Sequence, residues 1–124
     1  MYKFQINSDK LILIFLVLGL VSFSVQDNAL EKGIASFYHS KFEGRKTASG
    51  EFYHQDSLTA AHKSLPFGTM VKIVNLKNDS FIVLRINDRL PKSSKRMIDV
   101  SRSAALHLNF IRAGITSVSM EIIR

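Results

Sequence analysis

Three short polar runs hold most of the side chains able to do chemistry. They are residues 44–51 (GRKTASGE), too rich in glycine and charge for a strand, residues 58–63 (LTAAHK), and Asn87-Asp88-Arg89. The run Asn87-Asp88-Arg89 follows directly on residues 80–86 (SFIVLRI), the most apolar stretch of the later chain. A carboxyl at the end of a buried strand is partly desolvated, and desolvation favours the neutral form that a general acid needs. The alternative is a strand-ending turn in which Asp88 and Arg89 touch at the surface. Glu51, in a Gly-Glu pair, reads either as a site carboxylate or as a solvated turn residue. His62, after two alanines, reads either as a site group or as a packed or capping histidine.

Other chemistries lack their residues. The chain has no glycine-rich phosphate loop, no Gly-x-Ser-x-Gly elbow and no His-Glu-x-x-His helix. Its four histidines, His39, His54, His62 and His107, form no i,i+4 pair and have no metal-like carboxylate spacing, so no metal site and no cofactor are expected. With no cysteine there is no disulfide framework, no thiolate zinc site, no cysteine nucleophile and no lipid-modified cysteine.

The chain has 124 residues, room for one domain, and is 46% hydrophobic and 22% charged. Seventeen Lys and Arg against ten Asp and Glu give a net charge of +7, which suits an anionic partner. Residues 11–25 (LILIFLVLGLVSFSV) carry no charge and follow Lys3 and Lys10, the pattern of a secretory signal. Fifteen residues are short for a membrane span, which needs about 20. Residues 1–24 are therefore expected to be a signal peptide or an uncleaved N-terminal anchor. Residues 25–32 would be a short polar lead-in, and residues 33–124 one barrel domain. Export to the periplasm or cell envelope follows, which turns the positive charge toward the wall rather than nucleic acid. Contact with the membrane would then run only through the N-terminal segment, if that segment is uncleaved.

The elements that must position the polar runs are short. Strands are expected over residues 33–38, 69–75, 80–86, 97–100 and 116–123. The nearly continuous apolar run over 80–86 suggests burial on both faces, whereas 116–123 alternates, with Val118, Met120 and Ile122 on one side. One helix begins after Asp99 or Ser101 as its cap and is filled by Ala104, Ala105, Leu106 and Leu108; residues 57–62 could form one further helical turn. Many short strands and few helices argue a mainly β, small closed barrel with one or two short helices.

The wording of the polar runs adds more. GIASFYHSKFEGRKTASGEFYHQDSLTAAHKSLPFGTMVKIVNL, then VLRINDRLP and RMIDVSRSAA, resembles the RlpA (rare lipoprotein A) family over essentially all of residues 33–123. The resemblance implies a six-stranded double-psi β-barrel. It also implies a lytic transglycosylase that cuts the bond between muramic acid and glucosamine in peptidoglycan, leaving anhydro-muramic ends. The family's polar site residues fall on Glu51, His62 and Asp88. Asp88 is assigned the acid/base role, while Glu51 and His62 would orient substrate or steady the oxocarbenium-like charge. Arg45 and Arg89 would meet the lactyl carboxylate of muramic acid, or else pair with Glu51 or Asp88. Asn87 joins them in substrate binding, and Phe37 and Tyr38 form either a sugar-stacking platform or ordinary core.

Some positions depart from the family. Phe37 stands where Trp is common, His39 and Glu43 replace Gly and His, and Leu90 replaces the Gly of Asn-Asp-Arg-Gly-Pro, removing a permissive residue next to Asp88. The missing cysteine leaves no lipoprotein anchor. The expected partner is a peptidoglycan glycan strand met by a monomer. The same barrel also occurs in expansin-like proteins, so a non-catalytic wall-binding module is the alternative.

Overall fold

The computed structural model describes residues 29–124, so the signal or anchor expected over residues 1–24 lies outside the described residues. Six strands close into a barrel in the order β1-β5-β2-β4-β3-β6. They are β1 (Glu31–Phe37), β2 (Thr59–His62), β3 (Met70–Asn75), β4 (Phe81–Arg89), β5 (Ile98–Val100) and β6 (Ile115–Ile123). Parallel pairings of β1 with β5 and of β2 with β4 join antiparallel ones, giving the mixed six-stranded barrel expected of a double-psi fold. Among the described residues, one helix, α1 (Arg102–His107), and a 3₁₀ turn (Ser40–Phe42) complete the elements.

The core follows from strand alternation. Val71 and Ile73 on β3, Leu84 and Ile86 on β4, Ile98 and Val100 on β5, and Val118 and Met120 on β6 all point inward and are buried. Helix α1 lays Ala104 and Ala105 over one end of the barrel, and Leu108 and Phe110 follow as plugs. Phe110 meets Phe37 edge-on, ring centres 5.8 Å apart. Ser101 caps α1 through its side chain, which accepts the Ala104 N–H; Asp99 does not. At the other end of α1, the Leu108 carbonyl accepts from Asn75 Nδ2 (2.7 Å), Asn78 Nδ2 (3.1 Å) and Ser80 Oγ (3.2 Å). The β3–β4 turn thus satisfies a carbonyl that the helix leaves open. Gly33 permits the close approach of β1 to the turn before β5, because a Cβ there would lie 2.7 Å from Met97 Cβ.

Three expectations change. Residues 57–62 do not form a helical turn: Thr59–His62 is a fully buried strand, hydrogen-bonded on both sides, and its two alanines are small enough to sit between β4 and β5. The run over 80–86 is buried on one face only, with Phe81 62% exposed. Strand β4 also continues through Asn87, Asp88 and Arg89 instead of ending before them.

Candidate active site

Where β2 and β4 run side by side the register slips. Ala60 faces Ile86, but Ala61 faces Asp88, which leaves Asn87 as an extra residue in β4. Strict alternation from Leu84 and Ile86 would turn the Asp88 side chain into the core. The bulge reverses that, as bulges near functional sites commonly do. Asp88 then shares an outer face with Ala61, which in turn pairs with Asp99 on β5, and Asp99 pairs with Ser36 on β1. Ser36, Asp99, Ala61 and Asp88 therefore form one row across four neighbouring strands. All four line an open cleft of about 540 Å³, walled by residues of the 38–46 segment and of the stretch after β4.

Asp88 is held by three donors. Its Oδ2 accepts from the Tyr38 hydroxyl at 2.5 Å, and its Oδ1 accepts from the Ala48 and Arg89 backbone N–H groups, each at 2.8 Å. Burial, together with the Asp88 carboxylate, pushes the Tyr38 hydroxyl far above its ordinary pKa, so it stays protonated. One face of the Tyr38 ring stacks on Tyr53 at 4.3 Å, and the ring stands nearly perpendicular to that of Phe42 at 6.0 Å. Phe37 lines the cleft but also packs on Phe110.

The other candidates divide between the cleft and its supports. Arg45 lies on the exposed rim of the cleft over the Phe42 ring. Arg89 also lines the cleft, but its guanidinium donates to the His62 and Leu65 carbonyls (3.1 and 2.8 Å) and sits 4.4 Å over the Phe67 ring. Neither arginine pairs with Glu51; Arg85, in mid-β4, does so with two hydrogen bonds at 2.6 and 2.8 Å. Those bonds and one from Asn87 Nδ2 hold the Glu51 carboxyl down at about 2. Glu51, Asn87 and His62 do not line the cleft. Asn87 is buried, and its carbonyl accepts the Ser49 N–H. His62 is buried too; its Nδ1 accepts from the Ser64 and Leu65 N–H groups, which places its proton on Nε2, and burial lowers its pKa.

Sequence reasoning missed Asp99. Its carboxylate accepts from Ser36 Oγ (2.5 Å) and from Arg96 Nε and Nη2 (2.7 and 3.0 Å), and it stands in the cleft two strands from Asp88. The signal was present in RMIDVS, where an aspartate interrupts a buried apolar pair. The expected effect of Leu90 is absent: its backbone is not left-handed, its side chain is buried, and its N–H donates to the His62 carbonyl. Among the described residues, no cluster of three His, Cys, Asp or Glu is placed to hold a metal ion.

Comparison with known proteins fits this picture. The family model described as lytic transglycolase matches residues 30–120. The endolytic peptidoglycan transglycosylase RlpA of Pasteurella multocida is 50% identical over 92 residues, covering 74% of this chain and 31% of the relative. That of Haemophilus influenzae is 48% identical over 92 residues, covering 74% and 32%. The chain thus spans about a third of the length of the curated relatives it matches. Among solved structures, the Streptomyces papain inhibitor superposes with a TM-score of 0.63 at 18% identity, covering 82% of this chain and 100% of that one. The apo expansin of Clavibacter michiganensis superposes with a TM-score of 0.62 at 21% identity, covering 77% and 51%. These two share the barrel alone. The match along nearly the whole barrel, together with the closed mixed topology, places this chain in the lytic transglycolase family.

Proposed function

We propose that the cleft binds a peptidoglycan glycan strand and cuts it by lytic transglycosylation, with Asp88 as acid and then base. The observation that carries this reading is the bulge at Asn87, which aims Asp88 into the cleft beside Asp99. Protonated Asp88 gives its proton to the oxygen joining muramic acid C1 to glucosamine as the C1–O bond breaks. The C6 hydroxyl of the same muramic acid then attacks C1 and returns its proton to Asp88. No water is consumed, so one acid/base group completes the cycle. Asp99, fixed by Arg96, faces the positive charge that develops on the sugar.

Glu51 is held ionised by Arg85 and Asn87 and cannot serve as the proton donor. It braces the 44–51 loop, which brings the Ala48 N–H to Asp88. His62 closes the turn after β2, and its carbonyl receives Arg89. Of the two arginines, Arg45 is the one free for a lactyl carboxylate, since Arg89 is committed to backbone carbonyls. On this reading the protein acts as a monomer in the periplasm or cell envelope, where a peptidoglycan strand is met. The positive charge then serves the wall glycan rather than nucleic acid, and membrane contact would run through the N-terminal segment only if it stays uncleaved.

The test incubates residues 25–124, and the same protein carrying Asp88→Asn, with purified peptidoglycan and with peptide-free glycan strands. Mass spectrometry of the soluble products is expected to show anhydro-muramic ends from the first protein only. Reducing ends in their place would mean hydrolysis through both carboxylates of the cleft. Pelleting with the wall and no product from either protein would make the barrel a binding module of the expansin-like kind.

A further inference from the structure

We propose that Tyr38 and Tyr53 form a stacked positioning pair that fixes the Asp88 carboxyl and directs its proton to Oδ2. The idea rests on the acid/base role given to Asp88 above. Tyr38 follows the last residue of β1, and its N–H donates to the Val100 carbonyl at 3.1 Å. Its ring lies nearly parallel to Tyr53, at 10° and 4.3 Å. Tyr53 is buried and held at three points: its N–H donates to the Arg45 carbonyl (2.7 Å), its carbonyl accepts the Gly44 N–H (2.9 Å), and its hydroxyl accepts the Arg102 N–H at the start of α1 (3.2 Å). Helix α1, the 44–53 loop and the end of β1 are thereby tied through two rings to one carboxyl oxygen.

The two oxygens of Asp88 are made unequal. Oδ1 faces two backbone N–H groups, which can only donate and so oppose a proton on that oxygen. Oδ2 faces one phenol, which can do either. Tyr38 donates to Oδ2 while Asp88 is a carboxylate, and accepts from it when Asp88 is protonated. Tyr38 sits between two carboxylates, Asp88 and Asp99, the second neutralised by Arg96; Arg45, Lys46, His39 and Arg89 are the remaining charged or titratable groups of the cleft. This gives Tyr38 a task other than sugar stacking, and gives Tyr53, which does not reach the cleft, a part in the chemistry.

The test compares residues 25–124, which contain the whole barrel, with Tyr38→Phe, Tyr53→Phe and Tyr53→Leu. Phenylalanine at 38 keeps both ring contacts and deletes only the donor. It is expected to lower kcat about ten- to a hundredfold on peptide-free glycan strands, with KM within about twofold. The high-pH limb of the rate profile should move to higher pH, because the carboxylate has lost a hydrogen bond. Tyr53→Leu should lower kcat in the same sense, and Tyr53→Phe, which keeps the stack, should lose less than about threefold. A raised KM with kcat unchanged in Tyr38→Phe would overturn the proposal and return Tyr38 to the sugar. A second readout needs no turnover: ¹³C carboxyl titration of Asp88 by NMR, in the parent protein and in Tyr38→Phe. An upward shift of its midpoint in the variant supports the pair even if no glycan is cut, and an unchanged midpoint overturns it even if glycan is cut.

Discussion

Glu51 and Asp88 are carboxylates braced by the same loop, and their partners separate their chemistry. Arg85 and Asn87 hold Glu51 ionised at about 2, whereas Asp88 is met by neutral donors only. The Glu51 carboxyl in an unfolded chain titrates near 4.3, so the Arg85 pair adds stability above about pH 4.3 and loses it as pH falls toward 2. Both partners are well exposed, which limits the effect to about 1 kcal/mol or less. His62 acts higher on the scale. Burial holds its folded-state pKa below the ordinary value of about 6.5, so the unfolded chain binds the proton first and stability declines as pH drops below that point. Urea unfolding of the parent protein at about pH 7.5, 5.5 and 3 should therefore show two successive losses. His62→Gln, which keeps an acceptor for Ser64 and Leu65, should remove the first, and Glu51→Gln the second. A first loss that survives in His62→Gln would show that another group carries it.

At the scale of elements, the strands were largely legible and the bulge was not. Alternation over 116–123 placed Val118 and Met120 in the core, and the β-branched run over 69–75 became β3 within one residue. Residues 57–62 misled because Ala-Ala-His has no strand character of its own; pairing on two sides and full burial make it one. The slip at Asn87 leaves no trace in hydrophobic periodicity, since it appears only when β4 is set against β2, and with it went the grouping of Asp88 with Asp99. The plug after α1 was also out of reach, because Phe110 lies beyond the helix and finds its place only once the barrel closes. Its burial argues a large effect. Phe110→Ala should cost about 3–5 kcal/mol in urea unfolding, by removing the ring that Phe37 and the barrel end pack around. Asn75→Leu should cost about 1–3 kcal/mol, because the Leu108 carbonyl and the Thr116 hydroxyl both lose a buried partner. A loss below about 1 kcal/mol for Phe110→Ala would mean the barrel end closes without it.

At the scale of the whole molecule, net positive charge meets the cleft at its rim. Residues 25–124 carry a net +6, and four cations line the cleft: Arg45, Lys46, Arg89 and Arg96. Arg96 is bound to Asp99, and Arg89 to backbone carbonyls and Phe67. Among the described residues, Arg45 and Lys46 have no carboxylate partner, and both are exposed on the loop that also presents the Ala48 N–H to Asp88. A glycan strand stripped of peptide repeats a free lactyl carboxylate along its length, and under the proposed function these two side chains would be the ones to hold it. Removing both by Arg45→Ala and Lys46→Ala should then raise KM about tenfold at low salt and change kcat by less than about twofold. The difference from the parent protein should shrink at about 0.5 M salt, where the screening length falls to about 4 Å. Lys77→Ala, in the β3–β4 turn at the far end of β4 from Asp88, is the control and should leave KM unchanged at either salt concentration. A fall in kcat with KM unchanged in the double variant would mean the rim acts on Asp88 through the 44–51 loop, and the glycan's charge would have to be met elsewhere.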